Sequence, residues 1–303
     1  MSEFVHLKTI PDLSRLFSGG NILQHPLIAV VDFSRMGEFI REPVNVSADF
    51  YSMIFKNFHK NFLRYGRKVV DFQDGSLICV APNQLIEIEY DEELPENRMG
   101  WAVFFHPDLI RATALNDNIK NYSFFSYEIS EALHLSEKEK QILWDNVMKL
   151  QGELQENIDI HSQAILVSTL ELLLNYCSRF YGRQFITRKS SNNAVVVHVE
   201  KILSEYFKGG DVDEKGLPTV KYLAEQVSLS PGYLSDLLKK ETGKNTQDHI
   251  HFYLIEEAKS ILLNTDKSVG EIAYSLGFEY PQYFNKLFKK KTGKTPVEFR
   301  DMN

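Results

Sequence analysis

The last third of the chain repeats itself at a period of about 50 residues, and this repeat restricts the available folds more than any other feature. The first copy reads Leu223-Ala-Glu-Gln-Val-Ser-Leu-Ser-Pro-Gly-Tyr-Leu-Ser-Asp-Leu-Leu-Lys-Lys-Glu-Thr-Gly-Lys. The second reads Ile272-Ala-Tyr-Ser-Leu-Gly-Phe-Glu-Tyr-Pro-Gln-Tyr-Phe-Asn-Lys-Leu-Phe-Lys-Lys-Lys-Thr-Gly-Lys, with one extra residue in the turn. Each copy predicts a short helix, a tight turn and a second helix closed by a glycine cap. This is the pattern of a helix-turn-helix unit.

Individual positions carry the prediction. Ala224 and Ala273 are small where two helices must cross closely. Val227 and Leu276 end the first helix inside the core, and Leu229 and Phe278 plug the turn. Gly277 can adopt positive φ in the turn, and Ser228 must do that job in the first copy. Leu234, Leu237 and Leu238, and in the second copy Phe284, Leu287 and Phe288, form the apolar stripe of each second helix. The opposite face stays exposed. Between the copies, Thr246 to Leu263 predicts a helix of 18 residues, about 27 Å long at 1.5 Å per residue. Successive major-groove faces of B-DNA lie about 34 Å apart, so such a helix suits two recognition helices in successive grooves. Thr295-Pro296 then supplies a cap and a first-turn proline for a terminal helix, Val297 to Arg300.

The motif Val269-Gly-Glu-Ile-Ala-Tyr-Ser-Leu-Gly-Phe, followed by Tyr283-Phe, Phe288-Lys-Lys, Gly293, Thr295-Pro296 and Phe299-Arg300, resembles the DNA-binding domain of AraC/XylS-type transcriptional regulators. The resemblance covers residues from about 195 to 301. It implies a seven-helix domain with two helix-turn-helix units, about 220–241 and 269–291, that bind promoter DNA. The candidate DNA-facing residues are Ser230, Pro231, Gly232, Ser235, Asp236, Lys239 and Lys240 in the first unit. In the second they are Tyr280, Pro281, Gln282, Asn285, Lys286, Lys289 and Lys290.

Some residues depart from the family pattern. Lys286 stands where many relatives carry arginine, and a lysine is a point charge rather than a bidentate fork for guanine. Asp236, at the matching position of the first unit, repels phosphate but can accept a hydrogen bond from a cytosine amino group. Gly232 offers no side chain to read with. The second unit is therefore the better candidate for base contacts. Lysines recur at the ends of both recognition helices (Lys239-Lys240 and Lys289-Lys290-Lys291), then at Lys244 and Lys294, which suits phosphate contact.

Upstream, short β-branched and aromatic runs at Leu27–Phe33, Phe50–Phe55, Lys68–Phe72, Ser76–Val80, Leu85–Tyr90 and Trp101–Phe105 predict a small barrel or sandwich. Asp74-Gly75-Ser76-Leu-Ile-Cys-Val-Ala81-Pro82-Asn83-Gln84 is similar to a strand-turn-strand of the cupin-like sensor barrels in the same family. The resemblance implies a ligand pocket in the barrel. Abundant aromatics, among them Phe50, Tyr51, Phe55, Phe58, Phe62, Phe72, Trp101 and Phe105, suit either barrel core or an apolar effector pocket. Arg64, Arg67 and Lys68 are candidates to meet an anionic ligand, or are solvated strand ends. After residue 107 the period becomes helical. Ser136 and Glu139 form a capping box before a first helix carrying Ile142, Leu143, Val147, Leu150 and Leu154. Leu166, Leu170, Leu173, Cys177 and Phe180 then recur at spacings of four and three. This seam predicts a dimer helix, with a hairpin packed on its own barrel as the alternative. Arg183 to Asn193 is polar, basic and aperiodic, as a linker would be.

The expected organisation is therefore α+β and multidomain: an N-terminal cupin-like β-barrel (1–130), a helical hairpin for dimerisation (131–182), a linker (183–194) and an all-α double helix-turn-helix domain (195–303). Expected partners are double-stranded promoter DNA, a small-molecule effector of unspecified identity, a second copy of the chain and RNA polymerase, with no membrane partner. The alternative keeps the DNA-binding tail and makes the front domain a protein-interaction scaffold without an effector.

Charge bounds the rest. The formal net charge is −7, which excludes a polycation that binds nucleic acid by charge alone. Residues 217 to 303 hold 12 Lys/Arg against 11 Asp/Glu, a net of +1, so their positive charge must act by placement. Two cysteines, Cys79 and Cys177, cannot build a disulfide framework and read as small core hydrophobes. The N-terminus lacks a signal-peptide pattern and no 18-residue apolar run occurs, so a cytoplasmic location is expected. His59 and His106 lack the His-x-His pairing of metal-using cupins, and His249 and His251 point in different directions on a helix. His198-Val199-Glu200 lacks the downstream cysteines of a deaminase. Gly293-Lys294-Thr295 has Phe288 where a phosphate-binding loop needs its first glycine. No catalytic residues, metal or cofactor are expected.

Overall fold

The computed structural model describes residues 3–16, 25–35, 44–56, 63–65, 68–69, 75–88, 99–208, 212 and 215–301. The expectations placed on Phe58, His59, Phe62, Arg67 and Phe72 lie outside these residues. The chain divides into two compact units, Met1–Thr187 and Arg188–Asn303.

The first unit contains β1 (Glu3–Leu7), β2 (Ile28–Asp32), β3 (Val44–Ala48), β4 (Tyr51–Lys56), β5 (Leu63–Tyr65), β6 (Lys68–Val69), β7 (Ser76–Val80), β8 (Ile86–Ile88), β9 (Gly100–Phe105) and β10 (Leu133–His134). They form two five-stranded sheets, ordered β1-β3-β8-β5-β6 and β10-β7-β4-β9-β2. Among the described residues no strand pairing joins the sheets, so they stand as two ladders rather than a closed barrel. Strand alternation divides the second sheet into two faces. One face, including Ala29, Val31, Ala102 and Phe104, meets Leu7, Val44 and Val46 of the first sheet in a continuous core. The other face carries Tyr51 stacked on Phe105 at 4.9 Å and Phe55 stacked on Trp101 at 5.9 Å.

Short helices α1 (Pro107–Ile110) and α2 (Ala114–Asn118) lead to α3 (Glu137–Gln155) and α4 (Ser162–Thr187), which pack together. The capping box starts α3 as its spacing requires: the Ser136 N–H donates to Glu139 Oε2 at 2.8 Å and the Glu139 N–H to Ser136 Oγ at 3.4 Å. The seam on α4 needs correction. Leu166, Leu170, Leu173, Cys177 and Phe180 are each at most 4% exposed within a single chain, leaving no surface for a second copy. They are the chain's own core, where α4 meets α3 and β10, and Tyr181 stacks on Phe124 at 5.5 Å. The linker differs as well. Residues 183–187 finish α4, and after Arg188 the next helix, α5 (Lys189–Lys208), begins at once.

In the second unit α5 is followed by α6 (Val220–Gln226), α7 (Pro231–Thr242), α8 (Thr246–Asn264), α9 (Val269–Ser275), α10 (Pro281–Thr292) and α11 (Pro296–Asp301). Val199 and Leu203 of α5, Leu254 and Ala258 of α8, and Ile272 and Ala273 of α9 are fully buried. The long α8 is thus the common support against which α5, α7, α9 and α11 pack.

Candidate nucleic-acid interface

The turns of the two helix-turn-helix units, α6–α7 and α9–α10, are closed by equivalent backbone hydrogen bonds. The Leu229 N–H donates to the Ala224 carbonyl at 2.9 Å, and the Phe278 N–H to the Ala273 carbonyl at 3.0 Å. Ser228 holds φ +57° where Gly277 holds +79°. Serine carries the strain of the left-handed region; glycine does not. Gly277 answers a second demand, since a Cβ there would lie 2.9 Å from the Leu217 backbone nitrogen. Both recognition helices end on left-handed glycines, Gly243 at φ +77° and Gly293 at +81°. Just before each glycine a threonine hydroxyl, Thr242 or Thr292, donates 2.8 Å to the carbonyl four residues back.

The core sides differ in what fills them. On α7 these are Tyr233, Leu234, Leu237 and Leu238, all at most 4% exposed. On α10 a ring ladder does the work: Phe278 to Phe284 at 5.4 Å, Phe284 to Phe288 at 5.6 Å, and Phe288 to Phe299 at 5.6 Å.

The residues expected to face DNA are not equally placed to do so. On the first unit, Pro231, Lys239 and Lys240 are exposed, while Gly232, Ser235 and Asp236 are half-buried. Ser230 is 2% exposed and caps α7, its Oγ accepting from the Tyr233 N–H at 3.2 Å. Ser235 Oγ is 3.0 Å from Thr246 Oγ1, so it joins α7 to α8. On the second unit, Tyr280, Gln282, Asn285, Lys286, Lys289 and Lys290 are exposed on one helix face and Pro281 is half-buried. This face gathers three exposed lysines with two amides, and no carboxylate interrupts it along α10.

Two features were not legible from composition. Tyr283 is 61% exposed and meets Tyr280 edge-on at 6.0 Å, whereas its counterpart Tyr233 is 4% exposed. An aromatic at helical spacing reads as core, and only the neighbouring helix decides otherwise. Lys291, in the run of three lysines, is drawn to α8, where its Nζ lies 2.9 Å from Asp248 Oδ1. That hydrogen bond from Lys291 holds the Asp248 carboxyl below its ordinary range. Lys244 similarly rests over the Phe252 ring at 4.7 Å.

Among the described residues there is no group of three or more His, Cys, Asp or Glu that could hold a metal ion. Cys79 and Cys177 are buried thiols whose pKa values burial pushes up. No described helix is long and apolar enough to cross a membrane.

Comparison with known proteins covers both helix-turn-helix units. Residues 223–302 match the family described as a helix-turn-helix domain. An uncharacterized transcriptional regulatory protein, YesN, of Bacillus subtilis (strain 168) is 41% identical over 93 residues, 29% of this chain and 25% of the relative. The xylose operon regulatory protein of Escherichia coli (strain K12) is 28% identical over 155 residues, 51% of this chain and 36% of the relative. The bifunctional transcriptional activator/DNA repair enzyme AdaA of Bacillus subtilis (strain 168) is 38% identical over 85 residues, 28% of this chain and 40% of the relative. The matched part thus spans a quarter to two fifths of the length of these relatives.

Proposed function

With residues 223–302 an AraC-type helix-turn-helix domain, we propose that the chain is a sequence-specific, DNA-binding transcriptional regulator. The observation that carries this reading is the duplicated unit with two glycine-capped recognition helices, α7 packed on α8 and α10 packed on α9 and α11, the second with an uninterrupted face of lysines and amides. At 19 residues α8 is about 28 Å long, and it spaces the units for successive major grooves, about 34 Å apart. On the second unit Gln282, Asn285 and Lys286 read base edges, and Lys289 and Lys290 neutralise phosphate. The first unit, with half-buried Asp236 and no side chain at Gly232, contributes position and shape more than sequence.

The N-terminal compact unit, Met1–Thr187, acts as the regulatory half, responding to a small effector. A second copy of the chain, RNA polymerase and a cytoplasmic location complete the reading, and no catalytic step is assigned to the chain. If dimers form, they use a surface other than the buried Leu166–Phe180 seam. Selection of binding sites from a random duplex library by the full chain tests the reading. The enriched sequence should contain a strong element for the second unit and a weaker one about one helical turn away. Absence of any enriched element would refute it.

A further inference from the structure

Among the described residues, the space between the two sheets holds only a small cavity of about 70 Å³, lined by side chains such as Leu7, Phe50, Ile54 and Phe104. Small-molecule sites generally need about 300–1,000 Å³. The opposite face of the second sheet is different. There a cleft of about 680 Å³ opens between β2, β4, β9 and the first turns of α3.

We propose that this outer cleft binds a small apolar carboxylate. Its apolar wall is exposed Met99 and half-buried Trp144, with buried Phe55 and Trp101 beneath them. Its charged groups form two ion pairs, which are not equivalent, beside Ser34, bonded to Asp32, and Gln141, whose Nε2 donates to Asp145 at 2.7 Å. The acid of the first, Asp32, is saturated: Oδ1 accepts from the Ser34 N–H at 2.9 Å and the Ser34 hydroxyl at 2.6 Å, and Oδ2 faces Arg35 Nε at 3.4 Å. Arg35 spends only Nε on that contact, and its side chain is 77% exposed, so its Nη donors are available. In the second pair, Glu137 is 89% exposed while Lys140 is 21% exposed. The ammonium therefore sits at the cleft wall and the carboxylate in solvent. An exposed i,i+3 pair is weak enough for an incoming anion to share or replace. Available donors thus outnumber available acceptors beside an aromatic wall. One carboxylate on an apolar body satisfies both.

Such a ligand would bear on the rest of the first unit. Lys140 follows Glu139, whose carboxylate holds Arg183 of α4 at 2.8 and 3.0 Å. α4 ends at Thr187, the last residue of the first unit. The use of this connection for regulation rests on the proposed function; ligand binding itself does not.

The cleft contains both tryptophans of the chain, Trp101 and Trp144, so intrinsic fluorescence reports on it directly. The test titrates the full chain with phenylacetate, with 2-phenylethanol as the uncharged control and acetate as the control without an apolar body. Phenylacetate should give a saturable change at about millimolar concentration or below, and each control should bind about tenfold or more weakly. Arg35→Gln and Lys140→Gln should each weaken phenylacetate about tenfold with an unchanged melting curve, and Glu137→Gln should tighten it. No saturable change, an equal response to 2-phenylethanol, or indifference to both cation substitutions would overturn the proposal. Duplex binding by the same preparations, measured without ligand, shows separately whether the DNA-binding reading stands.

Discussion

Lys291 Nζ lies 2.9 Å from Asp248 Oδ1, tying the end of the second recognition helix to the start of the helix that spaces the two units. One lysine of a run of three is thereby given a structural partner, while Lys289 and Lys290 stay exposed on the face proposed for DNA. Lys290→Ala should lower the slope of log affinity against log salt by about 0.9, the share of one phosphate contact. Lys291→Ala should lower it less, and fluorescence anisotropy across a salt series measures both.

The turn residues predict an asymmetry between the repeats. Gly277→Ala places a Cβ 2.9 Å from the Leu217 nitrogen at φ +79°, and should cost about 1–3 kcal/mol. Ser228→Gly removes side-chain strain at φ +57° and should stay within about 1 kcal/mol of the parent. Denaturant unfolding of each variant checks this.

Gln184 is 2% exposed and bridges two backbone groups: Oε1 accepts from the His134 N–H at 2.9 Å, and Nε2 donates to the Ala132 carbonyl at 3.2 Å. Gln184→Leu keeps the volume and strands both groups. It should destabilise the first unit by about 1–3 kcal/mol per group left unpaired, seen as a lower thermal midpoint.

The α4 seam gives a contrast within one helix. Leu170 is 0% exposed and Leu172 is 43% exposed. Leu170→Ala should cost about 2–5 kcal/mol in stability, and Leu172→Ala should cost within about 0.5 kcal/mol. A Leu170→Ala protein that kept its stability but changed its sedimentation would restore the seam as a dimer interface.

Acid should weaken the C-terminal compact unit, Arg188–Asn303. Burial lowers the pKa values of both His249 and His251; Glu200 and Asp248 oppose it and Lys244 adds to it at the first, and Lys291 and Lys290 add to it and Asp248 opposes it at the second. Both rings are neutral in folded and unfolded chains well above the ordinary histidine value of about 6.5, where their full contribution is present. As the pH falls through that value, the unfolded chain takes up protons first, and stability declines until the depressed folded values are passed. Urea midpoints should fall from about pH 7.5 to about pH 5.5, and His249→Gln should flatten the decline.

The second unit was far more legible in the sequence than the first. In the repeat, residue type and geometry coincide position by position: Ser228 and Gly277 take positive φ, Gly243 and Gly293 close the helices, and Phe284 and Phe288 are buried. These are local demands, and local sequence reports them. The α4 seam shows where such reading fails. Its period correctly marks a buried stripe, but a stripe does not say whether the covering surface comes from the same chain or another. The same limit hid Tyr283, which has the residue type of Tyr233 and the opposite exposure. The polar stretch after Arg183 reads as aperiodic, yet it is helical on both sides of Arg188: Arg183 and Gln184 are spent on Glu139 and on the His134 N–H, and the division between the two units falls within it. β10 itself is two residues long, too short for any alternation to show.

The most direct test of the central claim is the salt dependence of full-chain binding to a duplex enriched from a random library. Six to ten phosphate contacts predict a loss of about 10³ to 10⁵ in affinity between about 50 and 200 mM salt, with specific binding retained over a scrambled duplex. Binding that is absent, insensitive to salt, or equal for the scrambled duplex would contradict a sequence-reading pair of helix-turn-helix units.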